Sequence, residues 1–321
     1  MCIIAYHASH EQFAPSSLLR YAVDAERAGF QAIHCSDHFQ PWNNEQGHSG
    51  HSLAWLGAAL QACTVPIGVI CAPGPRHHPM MLAQAVATLS EMYPDRFWMS
   101  LGSGEAINER VTGEPWPDKP TRNMRLKEAF DMMKSLLKGQ RVTRTGHFEM
   151  SDAKLFTLPD SPPPLFGAAL SEETAHGLGA WAEGLLTVGH DVPQLKRVIQ
   201  AFHEGGGKGK PVYVKVQLSY ARDEAVAKQE AYEQWRTNIL DDVLLAELWR
   251  VEQFEAAAEF VKPDDLVPHL LISSDIQRHI AYLQQYQALG VDALILHNVN
   301  KQQADFIEDF GSQVLPALQG S

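Results

Sequence analysis

PIGVICAPGPRHHPMMLAQAVATLSEMYPDRFWMSL, residues 66–101, is the stretch that decides the fold. Pro66–Cys71 and Arg96–Leu101 are apolar runs of strand length, and Met80–Met92 between them carries helical periodicity. The same strand–helix unit recurs on either side. Upstream, Cys2–Tyr6 and Gln31–Cys35 read as strands and Ser17–Ala28 and Ser52–Ala62 as helices, the first stopped by Gly29. Downstream, helix Arg122–Lys138 precedes a small hairpin arm near His147–Met150. Strands Leu165–Ala169, Gly184–Val188, Val212–Tyr220 and Ala293–His297 then alternate with helices Glu172–Ala180, Val192–Glu204, Ile276–Ala288 and Lys301–Leu315. Three more helices, Glu224–Ile239, Val243–Glu259 and Asp264–Leu270, exceed what the alternation needs. Eight strands, nearly all followed by helices, imply a parallel sheet with right-handed crossovers. The expectation is an α/β fold, a (β/α)8 TIM barrel with insertions forming one domain over residues 1–321, with a helical insertion at about 224–270. An open doubly wound sheet is the competing architecture.

Twenty-six Lys+Arg against 38 Asp+Glu leave a formal charge of −12, which argues against nucleic acid or an anionic membrane surface as partner. No run approaches the roughly 18 apolar residues of a membrane span, and the N-terminus has no signal-peptide pattern. Cys2, Cys35, Cys63 and Cys71 follow spacings of 33, 28 and 8, which match no metal knuckle or redox pair. A reducing, cytoplasmic setting is expected.

Barrel enzymes carry their chemistry at the C-terminal ends of the strands. There this sequence places His7-Ala8-Ser9-His10, Ser36-Asp37-His38-Phe39-Gln40-Pro41-Trp42, Ala72-Pro73-Gly74-Pro75-Arg76-His77-His78, and Gly102-Ser103-Gly104-Glu105-Ala106-Ile107-Asn108-Glu109. Histidine is the side chain most easily poised near neutral pH, and Glu105 offers a second proton carrier. Each has a plainer reading: His38 as a hydrogen-bonded loop histidine, Glu105 as a carboxylate favoured at a helix N-terminus, Trp42 as an aromatic covering the mouth. Gly102-Ser103-Gly104 is not the dinucleotide fingerprint, but it lets a flat ligand approach the backbone. Fifteen histidines raise a metal-dependent hydrolase as an alternative, through His34/His38, His48/His51 and His77/His78. The strand-one His-x-His pair such a barrel would use is missing, and no metal is expected.

Taken in order, these blocks resemble the luciferase-like monooxygenase superfamily of flavin and deazaflavin barrels, in the branch of coenzyme F-420-dependent glucose-6-phosphate dehydrogenases. The resemblance rests on Ala8–Pro15, Ser36–Trp42, Gly47-His48 with Ser52–Trp55, Met92–Arg96, Gly102–Glu109, and more weakly Gly184–Gly189 and Leu294–Asn298. It implies a hydride-transfer oxidoreductase using FMN or coenzyme F-420 on a small-molecule substrate, with an FMN-dependent monooxygenase as the alternative. His38, Glu105 and Trp42 would be catalytic, the first two as proton carriers and Trp42 as the roof. Asp37, Val69, Ile70, Ala72, Asn108, Ala169 and Leu170 would bind the cofactor, and Trp42, Thr187 and His190 the substrate. A non-prolyl cis peptide between Val69 and Ile70, and a homodimer, are further implications.

The chain departs from that pattern at telling places. Ala72 stands for a threonine, Ala169-Leu170 for a Gly-Gly turn at the cofactor phosphate, and His190 for a lysine at the substrate phosphate. A further basic residue is missing near Pro268. Glucose-6-phosphate is therefore a poor fit, and FMN competes with F-420. Specificity is expected from Trp42, Trp55, Met80, His190 and the insertion.

Overall fold

The computed structural model describes residues 2–189 and 191–319. Eight strands form the barrel: β1 Ile3–Ala8, β2 Ala32–Cys35, β3 Ile67–Cys71, β4 Phe97–Leu101, β5 Leu165–Ala168, β6 Leu185–Val188, β7 Val212–Ser219 and β8 Ala293–Asn298. All pair in parallel, each with the next in the chain, and β8 returns to β1, so the sheet closes. The closed eight-strand barrel excludes the open sheet.

Closure gives every strand two buried faces, which is why the strands read as continuous apolar runs. Val69, Met99, Val214 and Leu294 face outward and pack against helix residues such as Leu82, Val86 and Leu136. Ala5, Ala32, Trp98, Leu186 and Ile295 fill the lumen. The indole of Trp98 lies over Gly68, where a Cβ would sit 2.0 Å from Trp98 Cε2. Only glycine lets β3 run past that ring.

Several elements depart from the sequence reading. The segment Val243–Glu259 is two helices, Asp242–Glu247 and Val251–Ala257. Gln253 Oε1 accepts from the backbone N–H groups of Trp249 and Arg250, and Arg110 and Arg250 both stack on the Trp249 ring at 4.2 Å. These contacts replace the helical hydrogen bonds at the break. Asp264–Leu270 shrinks to the 3₁₀ turn Pro263–Leu266, and Leu271–Ile272 adds a short strand beside β7. The arm is an antiparallel hairpin of Val142–Arg144 and Met150–Ala153 around the predicted position. The final helix starts at Gln303 and carries a π turn at Phe310–Val314, where Gly311 packs on Ala28. The cis peptide expected at Val69–Ile70 is absent: all described peptide bonds are trans. Ile67–Cys71 pairs with β4 at every residue, so β3 has no bulge there.

Candidate active site

His38 follows β2 and is the centre of the mouth. Its Nε2 lies 3.3 Å from Glu11 Oε1 and 3.6 Å from Glu105 Oε2. On its other edge Asn108 Nδ2 donates to Nδ1 at 3.1 Å and also to Glu105 Oε2 at 3.3 Å. The Asn108 amide is oriented by the Phe39 backbone N–H, which donates to Oδ1 at 2.9 Å. With Nδ1 accepting, the neutral ring carries its proton on Nε2, between the two carboxylates. Asn108 thus sets the tautomer from the first turn of a short helix, Ala106–Glu109.

The two carboxylates are not equivalent. Burial opposes ionisation of Glu11. The neighbouring His38 and Lys215 and the hydroxyls of Ser36 and Ser9, at 2.6 and 2.7 Å, outweigh it and hold its pKa below the ordinary value. Burial raises Glu105, the nearby Glu11 charge adds to the effect, and His38 offsets it only in part. One acid is fixed as an anion and the other is poised to exchange a proton.

Asp37, next to His38 in the chain, is buried and held by three side chains. Ser52 Oγ donates to Oδ1 at 2.7 Å, and Arg76 Nη2 and His77 Nε2 approach Oδ2 at 2.6 and 2.9 Å. Burial pushes its pKa up, but His77 and Arg76 hold it far below the carboxylate range. Arg76 also reaches Glu109, 3.5 Å away, whose pKa is raised chiefly by burial. Asp37 therefore anchors the β2 and β3 loops to each other.

Trp42 packs its ring 5.0 Å from His38 and edge-on to Phe254 at 5.3 Å. Phe254 belongs to the segment between residues 224 and 270, which joins Trp42, Ile107 and Val251 in one buried cluster. The Trp42 loop is bolted to that segment: Gln46 donates to Gln234 O at 2.9 Å and Asn43 to Thr237 Oγ1 at 3.2 Å. The wall across the mouth is built of small residues. Ala72, Gly102, Gly104 and Ala168 are half-buried at the ends of β3, β4 and β5, and a Cβ on Gly104 would meet Ala72 Cβ at 3.3 Å. Such a wall suits a flat polycyclic ring lying against backbone, with His38 and Trp42 near it.

The other sequence candidates divide. Ile70 faces the lumen, half-buried, while Val69 turns into the outer core. Ala169 is buried in that core and Leu170 stands exposed at the rim. Thr187 is in register with Val214 on the core face of β6 and is 1% exposed, so its side chain is on the far side of the sheet from the mouth. Trp55 is likewise core, donating to Pro15 O. His190 lies outside the described residues. The paired histidines serve structural ends: His51 and His78 cap helices Ser52–Ala62 and Pro79–Met92, and His34 bonds His7 at 3.0 Å. Among the described residues no group of three His, Cys, Asp or Glu side chains is placed to hold a metal.

Two residues escaped the sequence reading. Glu11 lies one position beyond the strand-one stretch considered, although the resemblance block contains it. Lys215 sits within β7, pointing into the lumen, and its ordinary base strength is lowered by burial against the opposing pull of Glu11 and Glu105.

A profile for luciferase-like monooxygenases matches residues 3–293. The chain is 33% identical to a coenzyme F-420-dependent glucose-6-phosphate dehydrogenase of Beutenbergia cavernae, covering 99% of this chain and 98% of the relative. One from Microbacterium testaceum is 32% identical, with 98% and 96% covered. Among solved structures, an F-420-dependent secondary alcohol dehydrogenase bound to an F-420–acetone adduct superposes with a TM-score of 0.92 at 30% identity, covering 99% of both chains.

Proposed function

The chain belongs to the luciferase-like monooxygenase family, and from this footing we propose that it moves a hydride between a bound flavin or deazaflavin and a small hydroxyl or carbonyl compound. The observation that carries the reading is the convergence of His38 Nε2, Glu11 and Glu105 within 3.6 Å under Trp42. The small-residue wall of Ala72, Gly102, Gly104 and Ala168 would hold the cofactor ring, which when bound supplies the hydride acceptor or donor. Asp37 and Asn108 hold the loops of β2, β3 and β4 at the spacing the ring requires. Ile70, half-buried toward the lumen, would border the ring, and the Ala169-Leu170 backbone would lie toward the cofactor phosphate.

In the oxidising direction the substrate hydroxyl proton must leave as the C–H bond breaks. Asn108 occupies Nδ1 and Nε2 carries the ring hydrogen, so His38 orients the hydroxyl by donating from Nε2 and the proton passes to Glu105. Raised proton affinity suits Glu105 to that exchange. Glu11, kept ionised, faces Nε2 and favours the tautomer that carries its hydrogen there. Trp42 and Phe254 exclude water from the path.

The lost polar contact at Ala72 and the lost Gly-Gly turn leave FMN and coenzyme F-420 both as fitting cofactors. The segment 224–270 is read as part of the barrel domain, supported by its hydrogen bonds to the Trp42 loop. A homodimer is supported by the exposed apolar Phe260, Val243 and Val267 on that segment. A cytoplasmic setting is supported by four free cysteines, and no described helix is long and apolar enough to cross a membrane.

Titrating the protein with FMN and with coenzyme F-420, followed by fluorescence quenching, tests the proposal. Tight binding of one, then its anaerobic reduction by a secondary alcohol, is the expected result. Binding of neither refutes it.

A further inference from the structure

β7 alternates cleanly. Val212, Val214 and Val216 enter the outer core, while Tyr213, Lys215 and Gln217 point into the lumen. Lys215 is in register with Val188 of β6 and Ile295 of β8, and Ile295 is a lumen residue. Two residues farther toward the mouth, Gln217 is level with His297. A lysine thus rises from inside the barrel toward the cleft where His38, Glu11 and Glu105 meet.

A lysine half-buried inside a barrel is normally paired. Here the acids in reach are already engaged. Glu11 Oε2 accepts from Ser9 and Ser36, and its Oε1 faces His38. Glu105 Oε2 faces His38 and accepts from Asn108. Neither forms an ion pair with Lys215 within 4 Å; they act on it only through space. The remaining polar neighbours in the lumen are His7, His34 and His297, all held neutral by burial and by the lysine charge. Among the described residues, the three donors of this ammonium have no fixed acceptor.

We propose that Lys215 receives the carboxylate of the substrate, so that the site takes a 2-hydroxy acid and its 2-oxo acid. This deepens the oxidoreductase reading above and rests on it. One ammonium beside one neutral amide, Gln217, matches a monoanionic carboxylate, whereas a phosphate dianion calls for several cationic donors. In the reaction the C–H bond at the hydroxyl-bearing carbon breaks and its electron pair leaves as hydride to the bound flavin or deazaflavin. The hydroxyl proton goes to the Glu105 carboxylate, the carbonyl bond forms, and the substrate carboxylate stays unchanged on Lys215. Holding that group also fixes which hydrogen faces the cofactor.

The test uses full-length protein loaded with whichever cofactor it binds. Each hydroxy acid is compared with the alcohol in which a methyl group replaces the carboxylate: lactate with propan-2-ol, mandelate with 1-phenylethanol. The acids should be preferred in kcat/KM, and Lys215→Met should cut the acid-to-alcohol ratio by roughly 10- to 100-fold, as expected for a lost charge-assisted bond. Lys215→Arg should restore part of it. Pyruvate binding, read by intrinsic tryptophan fluorescence, should weaken by the same factor in Lys215→Met while acetone binding shows no such dependence. Wild-type protein that prefers the alcohols overturns the proposal without any variant, as does a Lys215→Met protein that melts normally and keeps its acid preference. Oxidation of alcohols alone defeats only the role of Lys215; failure to bind either cofactor defeats the oxidoreductase reading itself.

Discussion

Replacing Glu105 by Gln separates chemistry from folding at this site. The amide keeps the size of the side chain and an oxygen that can accept from Asn108 Nδ2, now 3.3 Å away. It removes the one group near His38 Nε2 whose proton affinity is raised. General acid–base assistance of this kind is worth about 10²- to 10⁴-fold, or about 3–5 kcal/mol of barrier. The single-turnover rate of cofactor reduction should fall by that factor, with cofactor affinity retained. Stability should move the other way. Burial, the largest influence, lifts the folded-state pKa of Glu105 above its usual 4.5. A raised carboxyl contributes stability below the unfolded pKa and loses it as pH climbs through the folded one. Near neutral pH the wild type therefore carries a penalty that the amide lacks, and Glu105→Gln should melt no lower than wild type. The advantage should vanish as pH falls toward 4.5. Stopped-flow rates and thermal melts across pH read both arms. A variant whose rate stays within about tenfold of wild type, or that is less stable at pH 7, would refute the assignment.

Three other substitutions probe the supports. Asp37→Asn breaks a buried ion pair with Arg76 and should cost about 3–5 kcal/mol in urea unfolding at pH 7. Because the folded-state pKa of Asp37 is depressed, its contribution is present above the usual 3.8 and is lost on acidification through the folded value, so the gap to wild type should close only in strong acid; equal midpoints at neutral pH would contradict the anchor. Phe254→Ala removes the edge contact under Trp42 and should destabilise by about 3–5 kcal/mol while raising KM more than it lowers kcat; an unchanged KM would show that the roof does not depend on the insertion. Gly68→Ala drives a methyl into the Trp98 indole and should cost at least about 1–3 kcal/mol; a wild-type melting temperature would mean the lumen yields more readily than its packing indicates.

What the sequence disclosed follows from where information lies in a barrel. Strands buried on both faces read as apolar runs, so all eight were found with ends shifted by a few residues. His38, Glu105 and Asn108 follow directly after strands, where sequence position and spatial position coincide, and they meet in one cleft. Lys215 failed to stand out for the opposite reason. Val-Tyr-Val-Lys-Val-Gln looks like a strand with one wet face, and only closure of the sheet turns that face into the lumen. The same closure places Thr187 opposite to expectation, because its face is set by pairing with Val214. At the helix break, the Trp249 ring is also stacked by Arg110, far away in sequence, a contact no local pattern encodes. Residues whose role is set by the strand end are thus legible, and those whose role depends on cross-barrel neighbours are not. By that logic the lumen face of β7, which no strand-end position marks, is the part of the proposed site that sequence reading reaches least.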